Sequence, residues 1–141
     1  MATQPTYKRQ RFLLSFVRQL SDGVKATDLQ KLVFLHTKAG DSSFYQFVPF
    51  RYGAYSFQLA EDLAILQKNG YLRSRHQPDG QGLIISATAK VAATSPTYEI
   101  APERGDTLLR LAYRQYPYYA INSEIVDRLF NENELAKFRE E

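Results

Sequence analysis

The segment YLRSRHQPDGQGLIISAT holds side chains suited to binding phosphate, because basic residues neutralise its negative charge. The pattern predicts a β-hairpin with a basic strand over 71–76, a turn at 78–80 and an apolar return strand over 83–86. The turn prediction depends on the Pro-Asp-Gly sequence, which favours chain reversal. We therefore expect Arg73, Arg75 and His76 to contact a nucleic-acid backbone.

Seven aromatic residues lie in FYQFVPFRYGAYSF, residues 44–57. Aromatic side chains bury large areas. We therefore expect most of the four phenylalanines in this segment to be core residues, the four being Phe44, Phe47, Phe50 and Phe57. The alternative is that Arg51 and Tyr52 lie beside the start of the next helix and hold a phosphate or a partner carboxylate. Both are therefore candidate nucleic-acid ligands, and Gly53 after them supplies a backbone angle that other residues resist.

The N-terminal half of the chain is basic. Residues 1–76 contain eleven Lys and Arg against five Asp and Glu, whereas residues 77–141 contain seven against ten. Clustered basic side chains attract polyanions even where the net charge, here +3, is small. Such residues also occur as solvated helix faces. Beside the hairpin and the aromatic segment, the candidate nucleic-acid-binding residues are Lys8, Arg9, Arg11 and Lys68.

A second aromatic cluster, RQYPYYAINSEIV, contains tyrosines that could stack on bases or anchor a protein interface. Pro117 also predicts a broken helix whose junction these rings fill, and we favour this structural interpretation. The functional candidates, assigned to a protein partner, are Tyr116, Tyr118 and Tyr119.

Catalytic arrangements are poorly represented in this sequence. The chain has no cysteine, and His36 and His76 have no neighbouring serine or carboxylate pattern of catalytic spacing. The adjacent Glu61 and Asp62 point about 100° apart on a helix and do not converge on one bond. No phosphate-binding glycine loop or metal-ligand motif occurs. We predict a protein that is not an enzyme, with no cofactor and no metal.

The length of 141 residues is that of one compact domain. No apolar run approaches the roughly 18 residues that span a bilayer, and the polar N-terminus MATQPTYKRQ does not have the pattern of a secretion signal. Together with the lack of cysteine, this composition leads us to expect a cytoplasmic protein that does not associate with a membrane.

Apolar spacing predicts helices on both sides of the aromatic segment. The first two cover YKRQRFLLSFVRQL and KATDLQKLVFLHTKAG, and the second is predicted to open with a capping box of Thr27 and Gln30. The aromatic segment is predicted to be extended, with Pro49 at an edge or bulge. The third helix, SFQLAEDLAILQKNG, has Ser56 as its N-cap and an apolar stripe of Leu59, Leu63 and Leu66.

The C-terminal part of the chain is predicted to be mainly helical. The segment ATAKVAATSPTYEI reads as a loop with a short strand over 97–100. A fourth helix is predicted to contain Pro102 in its first turn and to end at Pro117. A short helix over EIVDRLF and a terminal helix over ENELAKFREE follow, the latter capped by Asn131 and Glu134.

Three segments resemble the N-terminal region of a group of uncharacterised bacterial proteins: LQKLVFLHTKAG, FVPFRYGAYSFQLAEDLAILQKNGYL and RQYPYYAINSEI. In those proteins a winged-helix-like region precedes a small α/β domain, which has no counterpart in this sequence. A resemblance limited to the LQKL helix and the aromatic-Tyr-Gly-helix junction extends to the SocA-like (Panacea) antitoxin domains. The resemblance implies a winged-helix-like fold, and it supplies no catalytic residue.

The order helix, helix, aromatic insert, helix and hairpin predicts an α+β, mainly helical fold of winged helix-turn-helix type with additional C-terminal helices. We expect residues 1–141 to form one domain, with the helical core and wing over 1–100 and the C-terminal helices over 101–141. The favoured function is a regulatory nucleic-acid-binding module, with DNA as the first choice of target, in a bacterial or phage-related system. The alternative is a protein-interaction or antitoxin-like module, and a homodimer stays open in both cases.

Overall fold

The computed structural model describes residues 5–40, 44–51, 53–78, 82–91 and 97–123, which form an α+β fold of helices and small antiparallel sheets. The elements, in chain order, are α1 (Lys8–Arg18), β1 (Val24–Lys25), α2 (Ala26–Ala39), β2 (Val48–Phe50), β3 (Gly53–Tyr55), α3 (Phe57–Lys68), β4 (Leu72–His76), β5 (Leu83–Ala87), α4 (Gly105–Gln115) and a 3₁₀ helix (Pro117–Ala120). The first three predicted helices and the two hairpin strands are therefore confirmed.

The main core lies between α1, α2, α3 and one face of a three-stranded sheet. Positions three to four residues apart on α1 share one face of the helix, and the buried ones include Phe12, Leu13, Phe16 and Val17. α3 contributes the predicted stripe of Leu59, Leu63 and Leu66. His36 of α2 lies half-buried against the rings of Phe12 and Tyr98, at 5.5 and 5.2 Å between centroids, and burial lowers its pKa.

Two polar residues fix the first turn of α3. The Ser56 hydroxyl accepts a hydrogen bond from the Leu59 amide at 3.2 Å, which confirms the predicted N-cap. Gln30 of α2 binds both backbone groups of Ser56, because its Oε1 accepts from the amide at 2.8 Å and its Nε2 donates to the carbonyl at 3.0 Å. The predicted capping box of Thr27 and Gln30 is wrong, since Lys25 is the N-cap residue of α2 and the Gln30 side chain serves α3 instead.

A buried carboxylate connects α1, α3 and the aromatic segment. Asp62 of α3 is 1 % exposed, and its oxygens accept hydrogen bonds from Tyr45 Oη at 2.8 Å, Gln10 Nε2 at 3.0 Å and Arg9 Nε at 2.8 Å. The contact with Arg9 is an ion pair. Burial, followed by this hydrogen bonding, raises the pKa of the Tyr45 hydroxyl, and the bond to Asp62 raises the pKa of Arg9. The donors compensate a charge whose burial alone would be strongly unfavourable.

Strands β1, β5 and β4 form an antiparallel sheet in the spatial order β1–β5–β4. Val24, Ile85 and Leu72 are buried, so the face of the sheet that carries them is turned toward the core. Side chains alternate between the two faces along a strand. The residues next to Val24, Ile85 and Leu72 in their own strands therefore lie on the opposite face, which we call the outer face. The turn of the hairpin at 79–81 lies outside the described residues.

The aromatic segment forms a two-stranded ribbon and not one continuous strand. β2 pairs antiparallel with β3, and Phe50 lies opposite Gly53. Gly53 has a φ of +101°, and a Cβ at this position would lie 3.0 Å from Leu109 and 3.2 Å from Tyr113 of α4. Only glycine suits both the backbone angle and the narrow space. Gly53 begins β3 because the chain reverses just before it.

Two of the four phenylalanines that were expected in the core are exposed. Phe44 and Phe47 pack against the buried cluster, whereas Phe50 is 37 % exposed and Phe57 is 59 % exposed. Phe57 precedes Leu59 by two residues, which is about 200° around the helix, so it cannot share the buried face of α3. Phe50 lies in the last position of β2, beside the ribbon turn, where the reversal of the chain leaves its ring at the surface.

α4 begins at Gly105, so Pro102 lies before the helix and not in its first turn. A tertiary contact sets this start, because Asp28 Oδ1 of α2 accepts a hydrogen bond from the Gly105 amide at 3.1 Å. The helix ends before Pro117, as predicted, and the chain continues as the 3₁₀ helix.

Residues 97–100 do not form the short strand that was suggested. The Gln19 side chain binds the backbone of Tyr98 instead, with its Oε1 accepting from the amide at 2.7 Å and its Nε2 donating to the carbonyl at 2.9 Å. The two helices predicted within 124–141 lie outside the described residues.

We expect Asp62→Ala to lower the free energy of unfolding by about 3–5 kcal/mol, because it removes the common acceptor of three side-chain donors. Chemical denaturation followed by circular dichroism measures this loss. Glu61→Ala is the matched control, since the neighbouring carboxylate is exposed, and its effect should stay within about 0.5 kcal/mol. Equal effects of the two substitutions would contradict a structural role for the Asp62 carboxylate.

Candidate functional site

The outer face of the β1–β5–β4 sheet collects basic side chains. Arg73 and Arg75 of β4 are exposed. Because side chains alternate along the strand, both lie on the face opposite the buried Leu72. Lys25 of β1 joins them, because it pairs with Ile84 of β5, which in turn pairs with Arg75. Lys25, Ile84 and Arg75 therefore form one row across the sheet. With neighbouring strands about 4.8 Å apart, the backbones of Lys25 and Arg75 lie roughly 10 Å from each other.

The three strands contain no acidic residue, since their sequences are VK, LRSRH and LIISA. Sequence reasoning did not identify Lys25 as a candidate, because a strand of two residues has no alternation to detect and its pairing with β5 is a tertiary contact. His76 was predicted to act with the two arginines. It is exposed, but it pairs with Leu83 in a row of the opposite face.

The other basic candidates lie on the helices. Arg9 is held by the buried carboxylate of α3, and Arg11 Nη1 donates to the backbone carbonyls of residues 5 and 6 at 2.8 and 2.7 Å. Lys8 is exposed in the first turn of α1, and Lys68 is exposed in the last turn of α3. None of these four residues belongs to the outer face of the sheet, and their assignment to nucleic acid stays a prediction.

Arg51 is exposed at the turn of the ribbon, and Tyr52 lies outside the described residues. Beside this turn, the rings of Phe50, Tyr55 and Phe57 contact one another with centroids 5.2, 5.4 and 5.0 Å apart. The turn thus lies next to an exposed aromatic cluster. The predicted anion site of Arg51 and Tyr52 at the start of α3 stays a prediction.

Two of the three tyrosines that were assigned to a partner are partly buried against Phe34. Tyr116 and Tyr119 contact the ring of Phe34 edge-to-face, with centroids 5.3 and 4.6 Å from it. These contacts agree with the structural interpretation of the proline-broken junction. Tyr118 is 62 % exposed, and it is the most accessible of the three tyrosines.

A cavity of about 350 Å³ lies between α2, α3, the ribbon and β5. The space exists because several side chains that line it are small: Ala26, Ala54, Ala60 and Ala64. The larger apolar residues that line it are Phe50, Tyr55, Leu63, Leu83 and Ile85. Since Phe50 and Ala64 are exposed, the cavity reaches the protein surface beside them.

Lys31 of α2 lines this cavity and is 5 % exposed. Burial lowers the pKa of its ammonium from 10.5 to about 8, against a smaller opposing effect of Asp28. Within the part of the chain that the structure describes, no carboxylate is close enough to form an ion pair with Lys31. Lys31 could not be identified as a candidate from the sequence. The residues around it are buried on more than one side of α2, so the spacing of apolar residues does not show what surrounds Lys31.

No protein-family model matches the chain, and no curated protein matches its sequence. The resemblance to winged-helix-like regions of bacterial proteins therefore stays a prediction. Among the described helices, none is both long and apolar enough to cross a membrane. In the same residues, no three His, Asp or Glu side chains are grouped so that they could hold a metal ion.

Lys31→Met tests how strongly burial perturbs this lysine. The pKa of Lys31 is lower in the folded chain than in the unfolded chain, so its protonation opposes folding below about pH 8, and this penalty disappears as the pH rises through 10.5. We expect Lys31→Met to raise the free energy of unfolding near neutral pH by on the order of 3 kcal/mol. The difference from wild type should shrink by that amount above pH 10.5.

Urea unfolding at a series of pH values measures this difference. Lys68→Met is the control, because it removes an exposed lysine, and its difference from wild type should not change with pH. A flat profile for Lys31→Met would show that Lys31 is solvated and not buried.

Proposed function

We propose that this chain is a winged-helix module that binds nucleic acid through the outer face of its β1–β5–β4 sheet. The observation that carries the proposal is the grouping of Lys25, Arg73 and Arg75 on that face, in strands that contain no acidic residue. Lysine and arginine neutralise phosphates and release counterions, which gives affinity that does not depend on base sequence. In this proposal the role is regulatory and not catalytic, and DNA is the favoured target.

The order of the elements supports the winged-helix part of the proposal. A winged helix has a strand between its first two helices and a hairpin after the third, and that strand joins the hairpin in one sheet. In this chain β1 precedes α2, β4 and β5 follow α3, and β1 pairs with β5. The β2–β3 ribbon is an insertion between α2 and α3.

The exposed face of α3 bears on the specificity of binding. Its exposed side chains include those of Phe57, Gln58, Glu61, Ile65 and Lys68. Reading of base edges in the major groove depends mostly on arginine, lysine, asparagine and glutamine, and a carboxylate near phosphates is repelled. We therefore assign the affinity to backbone contacts made by the sheet, and we expect weak preference among sequences.

Exposed apolar side chains favour a second candidate, a protein-interaction or antitoxin-like module. The exposed set near the ribbon and the 3₁₀ helix consists of Val48, Phe50, Phe57, Tyr118 and Ile121. Asn122 Nδ2 donates to the Pro49 carbonyl at 3.2 Å, so the segment after the 3₁₀ helix contacts the ribbon. Exposed apolar surface of this kind is typical of protein-binding sites. It lies on other elements than the basic face, so one molecule could use both.

The combined substitution Arg73→Ala and Arg75→Ala tests the basic face. Binding to random-sequence duplex DNA is followed by fluorescence anisotropy at several salt concentrations. We expect the variant to bind more weakly to all sequences, and the slope of log affinity against log salt to flatten by about two units, one for each lost phosphate contact. Addition of Lys25→Ala should flatten it by about one unit more.

The matched control combines Arg104→Ala and Arg110→Ala, which removes the same charge from exposed positions at and before α4. If both double variants lose affinity and slope equally, binding reflects net charge and not the outer face of the sheet. If the wild type does not bind duplex even at low salt, the nucleic-acid proposal fails and the protein-interaction candidate takes its place.

A further inference from the structure

The cavity between α2, α3, the ribbon and β5 has the size and lining of a small-molecule site. Its volume of about 350 Å³ falls within the roughly 300–1,000 Å³ that is usual for ligand pockets. Such pockets are mostly apolar, with a few polar groups that orient the ligand. Here the polar lining residues are Thr27, Gln30, Lys31, Tyr55 and Gln67.

Lys31 is the charged residue among those that line the cavity. The Gln30 amide is already used, because both of its polar atoms bind the backbone of Ser56. Asp28, the carboxylate that acts on Lys31 from one helical turn away, receives a hydrogen bond from the Gly105 amide. Since Lys31 forms no ion pair within the described residues, a buried cation borders an apolar space without a partner anion.

We propose that this cavity binds a small apolar molecule with one carboxylate, whose negative group pairs with Lys31 and whose apolar part lies between α2, α3 and β5. A buried cation is unfavourable unless an opposite charge compensates it, and a carboxylate in the cavity supplies that charge. A neutral apolar ligand leaves the ammonium unpaired. A ligand with two or more negative charges has no second cation among the residues that line the cavity.

The site is distinct from the basic face of the sheet. Leu83 and Ile85 of β5 line the cavity, and Ile85 belongs to the core-facing side of the strand that carries Ile84 on its outer face. The ligand proposal therefore does not rest on nucleic-acid binding, and either can fail without the other.

Decanoate and decanol are the probes, because they share an apolar chain and differ in the negative group. Each is titrated into the full chain by isothermal calorimetry at neutral pH, below the concentration at which it forms micelles. We expect saturable binding of one decanoate per chain, and about tenfold or more weaker binding of decanol, since a charge-assisted hydrogen bond is lost. The absence of saturable decanoate binding would overturn the proposal.

Three variants assign the site. Lys31→Met should lower the affinity for decanoate about tenfold and leave that for decanol unchanged, whereas Lys31→Arg should keep the preference for decanoate. Ala64→Leu should weaken both probes, because it adds volume to a residue that borders the cavity where it opens. Unchanged decanoate binding by Lys31→Met would overturn the role of Lys31, and unchanged binding by Ala64→Leu would place the ligand elsewhere.

The variant with Arg73→Ala and Arg75→Ala separates this proposal from the proposed function. We expect it to bind decanoate as the wild type does, while its affinity for duplex DNA falls. Loss of decanoate binding in that variant would show that the ligand lies on the outer face of the sheet and not in the cavity.

Discussion

The buried carboxylate of Asp62 is the contact on which the arrangement of α1, α3 and the aromatic segment depends. A charge inside a protein is tolerated only where donors surround it, and Asp62 has donors from Arg9 and Gln10 of α1 and from Tyr45. If α1 or Tyr45 moved relative to α3, the Asp62 charge would lose hydrogen-bond donors while it remained buried in an apolar core. The Asp62 carboxylate is therefore a structural group.

The inserted ribbon is joined to the helices by a second set of polar and steric constraints. Gln30 binds both the amide and the carbonyl of Ser56, which fixes the start of α3 directly after β3. Gly53 fits closely against Leu109 and Tyr113, so the ribbon also contacts α4. Small residues of α2, β3 and α3 then leave the cavity that Lys31 borders. The insertion thus separates α2 from α3 along the chain while it creates a space between them.

The features that depend on neighbouring residues could be predicted from the sequence. The Ser56 cap and the leucine stripe of α3 are local, as are the two strands of the hairpin. The partners of Asp62 and Gln30 could not be predicted, because they lie on other elements. For the same reason Lys25 was missed, since only the pairing of β1 with β5 brings it into a row with Arg75. Spacing shows which residues share a face, but not what that face contacts.

The central claim is that the outer face of the β1–β5–β4 sheet contacts nucleic acid. The most direct measurement is the change in backbone amide NMR shifts of the isotope-labelled chain when a short DNA duplex is added at low salt. The account predicts the largest changes in β1, β4 and β5, including Lys25, Arg73 and Arg75, with small changes in α4. Changes confined to the β2–β3 ribbon and the 3₁₀ helix, with none in the sheet, would contradict it.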